Sequence, residues 1–199
     1  MSADRERKLV DAIIAGDAKK ASLYLKAGLS ANGVDGRGDS FLRTAARFGQ
    51  AELFELLLER GADVHEPELL EWSVDGDGGR REIAPEITER ILSDAEPTQD
   101  ELDASLRIAC VSGNLRAIEL LLKHGANPNG LDPRFHDFPL LNAVVNEHKE
   151  AVVLLLARGA DPNLHPVKEE NDHGTFVVKG ALTDEPTDPA ILALLQQSS

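Results

Sequence analysis

The chain has 199 residues, and 35 acidic side chains against 21 lysines and arginines give it a net charge of −14. This balance disfavours binding to a nucleic-acid backbone, which needs clustered positive charge, and it favours either a basic partner or simply a soluble surface. A single cysteine excludes an intramolecular disulfide and is consistent with a reducing compartment.

A leucine-rich stretch followed by a glycine-led tail recurs along the chain at a nearly constant interval. The tail glycines are Gly28, Gly61, Gly125 and Gly159, at steps of 33, 64 (twice 32) and 34 residues. Alanines in the preceding helical pattern repeat these steps, at Ala12, Ala45, Ala109 and Ala143. Two independent markers thus share a period near 33 residues, which indicates a stacked repeat array and not a globular domain with a pocket.

The first two units show the same order of signals. Leu9–Asp17 is the first-helix pattern with a polar lead-in, and Ser40–Gly49 predicts the matching helix of the second unit. Its two alanines allow close packing, and Gly49 can adopt the positive φ that helix ends commonly need. Ala51–Glu59 predicts the second helix, since Leu53, Leu56 and Leu57 lie on one side at the spacing of an amphipathic face.

The third unit departs from this pattern. Glu68–Val74 is its expected first helix, and Ile87, Ile91 and Leu92 indicate its second. Between them, Asp75–Arg80 lacks the ligand positions of a calcium loop, so we expect a flexible acidic turn. Residues 66–103 also carry 13 acidic and 3 basic residues, a net charge of −10, which leaves −4 for the rest of the chain.

The remaining units follow the first two more closely. The helical pattern returns around Ala104 and again from Phe138, and a long loop, His165–Gly174, follows the fifth unit. Asp188 as N-cap and a proline at the first helical position then predict a final helix. We expect this helix, Ala190–Gln197, to cap the stack.

These segments resemble ankyrin repeats, whose first helix typically opens with Thr-Pro-Leu-His-x-Ala-Ala. The chain keeps the Leu and Ala, but only Phe138-Pro139-Leu140 retains the Pro, and Pro128-Asn129 and Pro162-Asn163 continue the tails in the family manner. The resemblance implies an all-α solenoid of about five to six helix-turn-helix repeats with a row of projecting finger loops. We expect one array, with repeats at about 1–33, 34–65, 66–98, 99–130, 131–163 and 164–199, the third being degenerate.

Candidate binding residues lie on the predicted fingers and first helices. Arg37-Gly38-Asp39 spells an adhesion tripeptide, but turn residues are expected at a finger tip. Phe48 and Phe135 occupy positions that are usually exposed in ankyrin arrays, although local loop packing explains Phe135 equally well. Trp72 is either a core residue of the third repeat or a binding anchor. The predicted partner-binding residues are Arg37, Asp39, Arg47, Phe48, Trp72, Arg134, Phe135, His136 and Asp137.

Catalytic and metal-binding patterns are not recognisable in the sequence. Cys110 takes the second alanine position of its helix, which favours a small buried residue over a nucleophile. The six histidines show no short metal-binding spacing. We therefore expect no enzyme activity, no metal and no cofactor.

The expected function is a non-catalytic protein–protein interaction module that binds one folded partner on its concave finger and first-helix face. The alternative is an inhibitor or immunity-type protein that neutralises a basic enzyme or toxin by electrostatic complementarity. An enzyme with an unrecognised site is the third hypothesis. We expect a protein partner, with a basic one favoured by the charge, but neither nucleic acid nor membrane. No signal-peptide pattern opens the sequence, and no apolar run approaches the roughly 20 residues that span a bilayer, so we expect a cytoplasmic chain. The sequence does not determine the oligomeric state, and we expect a monomer.

Overall fold

The computed structural model describes residues 2–79, 83–132, 137–164, 170–171, 174–175 and 188–197. The chain divides into two compact units, Met1–Pro97 and Thr98–Ser199, and the boundary falls where the third predicted repeat ends. The expectation of one continuous array with six repeats stays a prediction.

The N-terminal unit consists of three helix pairs. Its helices are α1 Ser2–Ile14, α2 Ala18–Lys26, α3 Phe41–Arg47, α4 Ala51–Glu59, α5 Leu69–Gly79 and α6 Pro85–Asp94. Within the pairs, α1 packs on α2, α3 on α4 and α5 on α6. Between the pairs, α3 contacts both α1 and α5, and α4 contacts both α2 and α6. The first helices therefore form one layer of this unit and the second helices form another.

The C-terminal unit repeats this arrangement. Its helices are α7 Gln99–Ser112, α8 Leu115–Lys123, α9 Pro139–Val145, α10 Lys149–Ala157 and α11 Pro189–Gln197. Helix α7 packs on α8 and α9, while α10 packs on α8, α9 and α11. The predicted start of the last helix is confirmed, because the carboxylate of Asp188 accepts a 2.7 Å hydrogen bond from the amide of Ala190.

A short strand pair is the one kind of element that the sequence analysis did not predict. Strand β1, Glu170–Asn171, pairs antiparallel with β2, Gly174–Thr175, so that Glu170 lies opposite Thr175. Each strand has only two residues. The all-α class of the fold is therefore unchanged.

The core confirms the leucine and alanine patterns. On α4, Leu53 and Leu57 are buried as their spacing predicts. Phe54 is buried with them, whereas Leu56, which was expected on the same side, is only half-buried. The marker alanines of four first helices, Ala12, Ala45, Ala109 and Ala143, are at most 1% exposed. Small side chains at these positions let the second helix of each pair approach closely.

The fingers are tied to the following repeat by a recurring pair of hydrogen bonds. The side-chain amide of Asn32 donates to the carbonyl of Gly61 (2.7 Å), and its oxygen accepts from the backbone amide of Asp63 (2.9 Å). Asn129 makes the same two bonds with the tail that begins at Gly159. An asparagine four residues after a tail glycine therefore joins successive repeats.

At the start of the C-terminal unit, two side chains together make the pair of hydrogen bonds that one asparagine makes elsewhere. Gln99 donates to the carbonyl of Gly125 (3.1 Å), and Asp103 accepts from the backbone amide of Asn127 (2.7 Å). Gln99 also donates to Asp103 at 2.8 Å, which holds the two side chains together. The same backbone groups are thus satisfied although no asparagine is present at the usual position.

The acidic insert is not the turn that the sequence analysis predicted. Helix α5 continues through Asp75 as far as Gly79, five residues beyond its expected end. The three glycines each cost roughly 1 kcal/mol of helix stability, but every residue added to a helix already begun gains a backbone hydrogen bond. Burial of Leu69 and Val74 anchors the start of this helix. The last residue of the insert, Arg80, lies outside the described residues.

Candidate protein-interaction site

A groove of about 330 Å³ lies between the first finger and the first helices of the N-terminal unit. It is lined by Val10, Asp11 and Ile14 of α1, by Asp35, Arg37 and Asp39 of the finger, by Arg43, Thr44, Arg47 and Phe48 of α3 and its end, and by Trp72 of α5. We call it the finger groove. The structure therefore brings together five of the nine predicted partner-binding residues, which are Arg37, Asp39, Arg47, Phe48 and Trp72.

A tight turn shapes the finger tip. One carboxylate oxygen of Asp35 accepts hydrogen bonds from the backbone amides of Arg37 (2.7 Å) and Asp39 (3.0 Å). Gly38 between them has a φ of 92°, in the left-handed region that glycine adopts without strain. The turn interpretation of the adhesion tripeptide is thus confirmed. Arg37 is exposed, and its guanidinium makes no hydrogen bond or ion pair with any residue that the structure describes.

The base of the finger is joined to the start of α3 and to the next repeat. Ser40 caps α3 by accepting from the amide of Arg43 (2.8 Å), and its hydroxyl donates to the carboxylate of Glu66 (2.5 Å). Arg43 lies 3.5 Å from Asp39 and donates to the carbonyl of Pro67 at 2.9 Å. Burial raises the pKa of Glu66, and the Ser40 hydrogen bond and the Arg43 charge only partly offset this effect.

An arginine lies over two aromatic rings at the far side of the groove. The guanidinium carbon of Arg47 is 4.8 Å from the centre of the Trp72 ring and 6.0 Å from that of Phe48. Both distances are within the range of cation–π attraction. Trp72 and Phe48 are half-buried, whereas Val74, two residues after Trp72, is fully buried. Trp72 therefore forms a wall of the groove and is not part of the fully buried core.

The charges that line the finger groove are balanced. Three aspartates (Asp11, Asp35, Asp39) stand against three arginines (Arg37, Arg43, Arg47). The net charge of −14 therefore does not originate in the groove lining. The groove can offer hydrogen bonds and ion pairs of both signs.

Helix α1 contributes to the groove, which was not predicted from the sequence. Asp11 precedes the marker alanine Ala12, just as Thr44 precedes Ala45, and Trp72 precedes the buried Ser73. All three residues that stand before the small buried position line the groove. This register, read from the alanine spacing, could have identified Asp11 as a groove residue.

The other four predicted binding residues, Arg134, Phe135, His136 and Asp137, directly precede Phe138 and α9 in the sequence. Asp137 lies in the C-terminal unit, where its carboxylate is 3.9 Å from the guanidinium of Arg107. Arg107 also lies 2.9 Å from the buried carboxylate of Asp132. Burial raises the pKa of Asp137, partly offset by a hydrogen bond from Asn142 and the charge of Arg107. Arg134, Phe135 and His136 lie outside the described residues.

Neither an activated cysteine nor a metal-ligand cluster occurs in the described part of the chain. Cys110 is completely buried, as its sequence position predicts, and burial raises the pKa of its thiol, which disfavours the nucleophilic thiolate. Among the described residues, no group of three or more His, Cys, Asp or Glu side chains could hold a metal ion. No helix within these residues has the length and apolar character needed to cross a membrane.

Comparison with known proteins agrees with this architecture. The sequence model of the single ankyrin repeat matches residues 37–68, and the model of three consecutive ankyrin repeats matches residues 80–165. Over 63 residues the chain is 40% identical to a protein of Acanthamoeba polyphaga mimivirus that is named as an ankyrin repeat protein. That match covers 30% of this chain and 10% of the viral protein, so the chain spans only a small part of its relative. Together with the helix pairs and fingers, these matches show that the chain belongs to the ankyrin repeat family.

Proposed function

We propose that the chain binds a folded protein partner in its finger groove and catalyses no reaction. Ankyrin repeats are protein–protein interaction modules, and the fingers and first helices of such repeats form extended binding surfaces. The observation that carries the proposal is the stack of Arg47 on Trp72 beside Phe48. Tryptophan and arginine are among the residues that most often dominate the binding energy of protein interfaces.

The geometry of this cluster favours binding in a second way. Arg47 is held against Trp72 before any partner arrives, so the arginine loses little conformational freedom on binding. Arg37 and Asp11 are exposed on other parts of the lining and have no side-chain partner within the described residues. A partner can therefore bring an acidic group to Arg37 and a basic group to Asp11.

The overall charge supports a basic partner. A net charge of −14, most of it within residues 66–103, attracts a basic protein over a distance and accelerates its association. The balanced groove lining then supports short-range recognition. We expect the acidic surface to affect mainly the association rate, and the groove residues the dissociation rate.

The same charge supports a second candidate function, an inhibitor or immunity-type protein that neutralises a basic enzyme or toxin. The two functions differ in what binding does to the partner. If the partner is a basic enzyme, saturation with an inhibitor abolishes its activity, whereas saturation with an adaptor leaves its activity unchanged. The single cysteine supports a cytoplasmic location for either function.

Affinity capture from an extract of the source cells tests the proposal. The immobilised chain is compared with Trp72→Ala and with Val153→Ala, which changes an exposed residue of α10 in the other unit. We expect a protein that the original chain and Val153→Ala retain and that Trp72→Ala loses. A specific partner that Trp72→Ala retains equally well would show that the finger groove is not the binding site.

A further inference from the structure

A second groove, of about 580 Å³, lies between the second helices α2 and α4 of the N-terminal unit. Its charged and large apolar lining residues are Lys19, Leu23 and Lys26 of α2 and Glu52, Glu55, Leu56 and Glu59 of α4. We call it the outer groove. None of its lining residues belongs to the finger groove, so the two surfaces are distinct.

The repeat period places opposite charges at equivalent positions on the two helices. Glu52, Leu56 and Glu59 follow Lys19, Leu23 and Lys26, respectively, by 33 residues. Within each helix the two charged residues are seven positions apart, about two turns, so they lie on the same side. The two lysines of α2 therefore form a row beside the two glutamates of α4. Within each row, a leucine lies between the two charged residues.

These two rows do not neutralise each other. Lys19, Lys26, Glu52 and Glu59 are all exposed, and none forms an ion pair or side-chain hydrogen bond with a residue that the structure describes. Glu55, which also lines the groove, differs, because Arg90 of α6 lies 3.4 Å from its carboxylate and links α4 to α6 directly. The outer groove thus leaves charges of both signs open to a third element.

The apolar part of the outer groove is also open. Leu23 is 68% exposed, the highest value among the large apolar side chains that the structure describes. Leu56 at the equivalent position of α4 is half-buried. An exposed apolar strip with polar residues on both sides is typical of a surface that another molecule covers.

We propose that the outer groove binds an amphipathic helix of a protein partner. The apolar side of that helix packs on Leu23 and Leu56, its acidic flank faces the lysines, and its basic flank faces the glutamates. An apolar groove between helices, with anchors at intervals of three to four and seven residues, suits a helical ligand. The charge rows are about 10 Å long, which corresponds to two turns of the bound helix.

The same rows determine the direction of the bound helix. Turning a helix end for end with its apolar side down exchanges its two flanks. Only one direction therefore places acidic residues beside Lys19 and Lys26 and basic residues beside Glu52 and Glu59. For this reason a peptide with exchanged flanks can bind in the reverse direction, and it is not a suitable control.

Synthetic helical peptides of about 18 residues, or five turns, provide the test. All carry leucines along one side. The mixed peptide has glutamates on one flank and lysines on the other, and the two uniform peptides have lysines on both flanks or glutamates on both flanks. Fluorescence anisotropy measures their binding to the full chain at low and high salt. We expect the mixed peptide to bind about 10-fold more tightly than either uniform peptide. Equal or tighter binding of the two-lysine peptide at both salt concentrations would mean that net charge alone attracts these peptides, and would overturn the proposal.

Variants of the chain make the test specific. Lys19→Glu with Lys26→Glu makes both rows acidic, so the preference should change to the two-lysine peptide, and an unchanged preference would overturn the proposal. Leu23→Ser should weaken binding of the mixed peptide at least about 10-fold, whereas Val34→Ser, at an exposed position of the finger, should not. Circular dichroism verifies that each variant is folded. Trp72→Ala should leave peptide binding unchanged. A negative result with the peptides therefore contradicts binding at the outer groove without contradicting binding at the finger groove.

Discussion

Arg47 lies over the ring of Trp72 at 4.8 Å, although the two residues belong to the first helices of successive repeats. This contact joins α3 to α5 at the surface of the finger groove and holds the guanidinium in a defined position. It also places the single tryptophan of the chain at the proposed binding site. Intrinsic fluorescence can therefore report directly on occupancy of the groove.

The Arg47–Trp72 contact should contribute measurably to stability. A double-mutant cycle with Arg47→Ala and Trp72→Ala should give a coupling free energy of about 0.5–2 kcal/mol, because a half-buried cation–π pair lies between the exposed and the desolvated cases. Urea unfolding followed by circular dichroism measures it. A parallel cycle that combines Trp72→Ala with Arg37→Ala, at an exposed arginine of the finger, should give no coupling. Equal coupling in the two cycles would contradict a specific contact.

The leucines of the second helices should be essential to the core. Leu57 and Leu121 have almost no exposed surface, so Leu57→Ala or Leu121→Ala should lower the free energy of unfolding by roughly 2–5 kcal/mol. Leu23→Ala, at the exposed position in α2, should change it by less than about 0.5 kcal/mol. Urea midpoints that stay constant in both buried variants would show that these leucines are not core residues.

Removing a side chain after α9 and adding one after α7 should have opposite effects on stability. Glu147 after α9 has a φ of 59°, which strains a residue with a side chain, so Glu147→Gly should stabilise the chain by about 1 kcal/mol. Gly113 after α7 also has a positive φ, and a Cβ there would lie 2.5 Å from the His148 ring. Gly113→Ala should therefore destabilise the chain by about 1–3 kcal/mol. Urea unfolding of both variants checks the signs, and a gain from Gly113→Ala would contradict the crowding.

Glu66 should make the N-terminal unit less stable as pH rises. Burial raises its pKa in the folded chain above the ordinary value of 4.5, so the folded state holds this proton more tightly than the unfolded state. Stability from this group is complete below about pH 4.5 and is lost as pH rises through the raised pKa. Glu66→Gln removes the ionisation but keeps an oxygen that can accept from Ser40.

Glu66→Gln should therefore be more stable than the original chain near pH 7, and the advantage should become smaller toward about pH 4. Urea midpoints at several pH values measure this difference. Ser40→Ala removes a hydrogen bond that lowers the pKa of Glu66, so it should make the pH dependence steeper. An advantage of Glu66→Gln that grows as pH falls would contradict the raised pKa.

Salt should separate long-range attraction from short-range recognition. Screening limits electrostatic reach to about 8–10 Å near physiological ionic strength, so association with a basic partner should slow as salt rises. Charge reversal within residues 66–103 should change the association rate, whereas Phe48→Ala or Phe135→Ala should increase the dissociation rate. Surface plasmon resonance at several salt concentrations measures both rates. Salt-independent binding, unaffected by Phe48→Ala, would contradict both the basic partner and the groove.

The amino-acid sequence by itself determined the repeat architecture. The period near 33 residues, the leucine spacing and the helix-ending glycines are local signals, and the bounds of α4, Ala51–Glu59, were predicted from them without error. Local signals suffice because each helix depends on capping, on apolar spacing and on contacts with adjacent repeats. The tight turn at Arg37–Asp39 follows from local chemistry in the same way.

The sequence determined less about the third repeat. Glycine content predicted a turn after Val74, but α5 continues to Gly79, because helix extension and the packing of α5 on α3 outweigh local propensity. The half-buried position of Trp72 was also open, since sequence alone allowed either a core residue or an anchor.

The two grooves depend on tertiary structure. Arg37, Arg47 and Trp72 lie on a finger and two different helices, and only the stacking of helix pairs brings them to one surface. In the outer groove, the 33-residue offset from Lys19 to Glu52 is visible in the sequence, but the absence of an ion pair between them is not. Side-chain position across neighbouring helices depends on packing distance and on competing partners. The sequence alone therefore determined the helices and their order, and the tertiary structure decided which side chains share a surface.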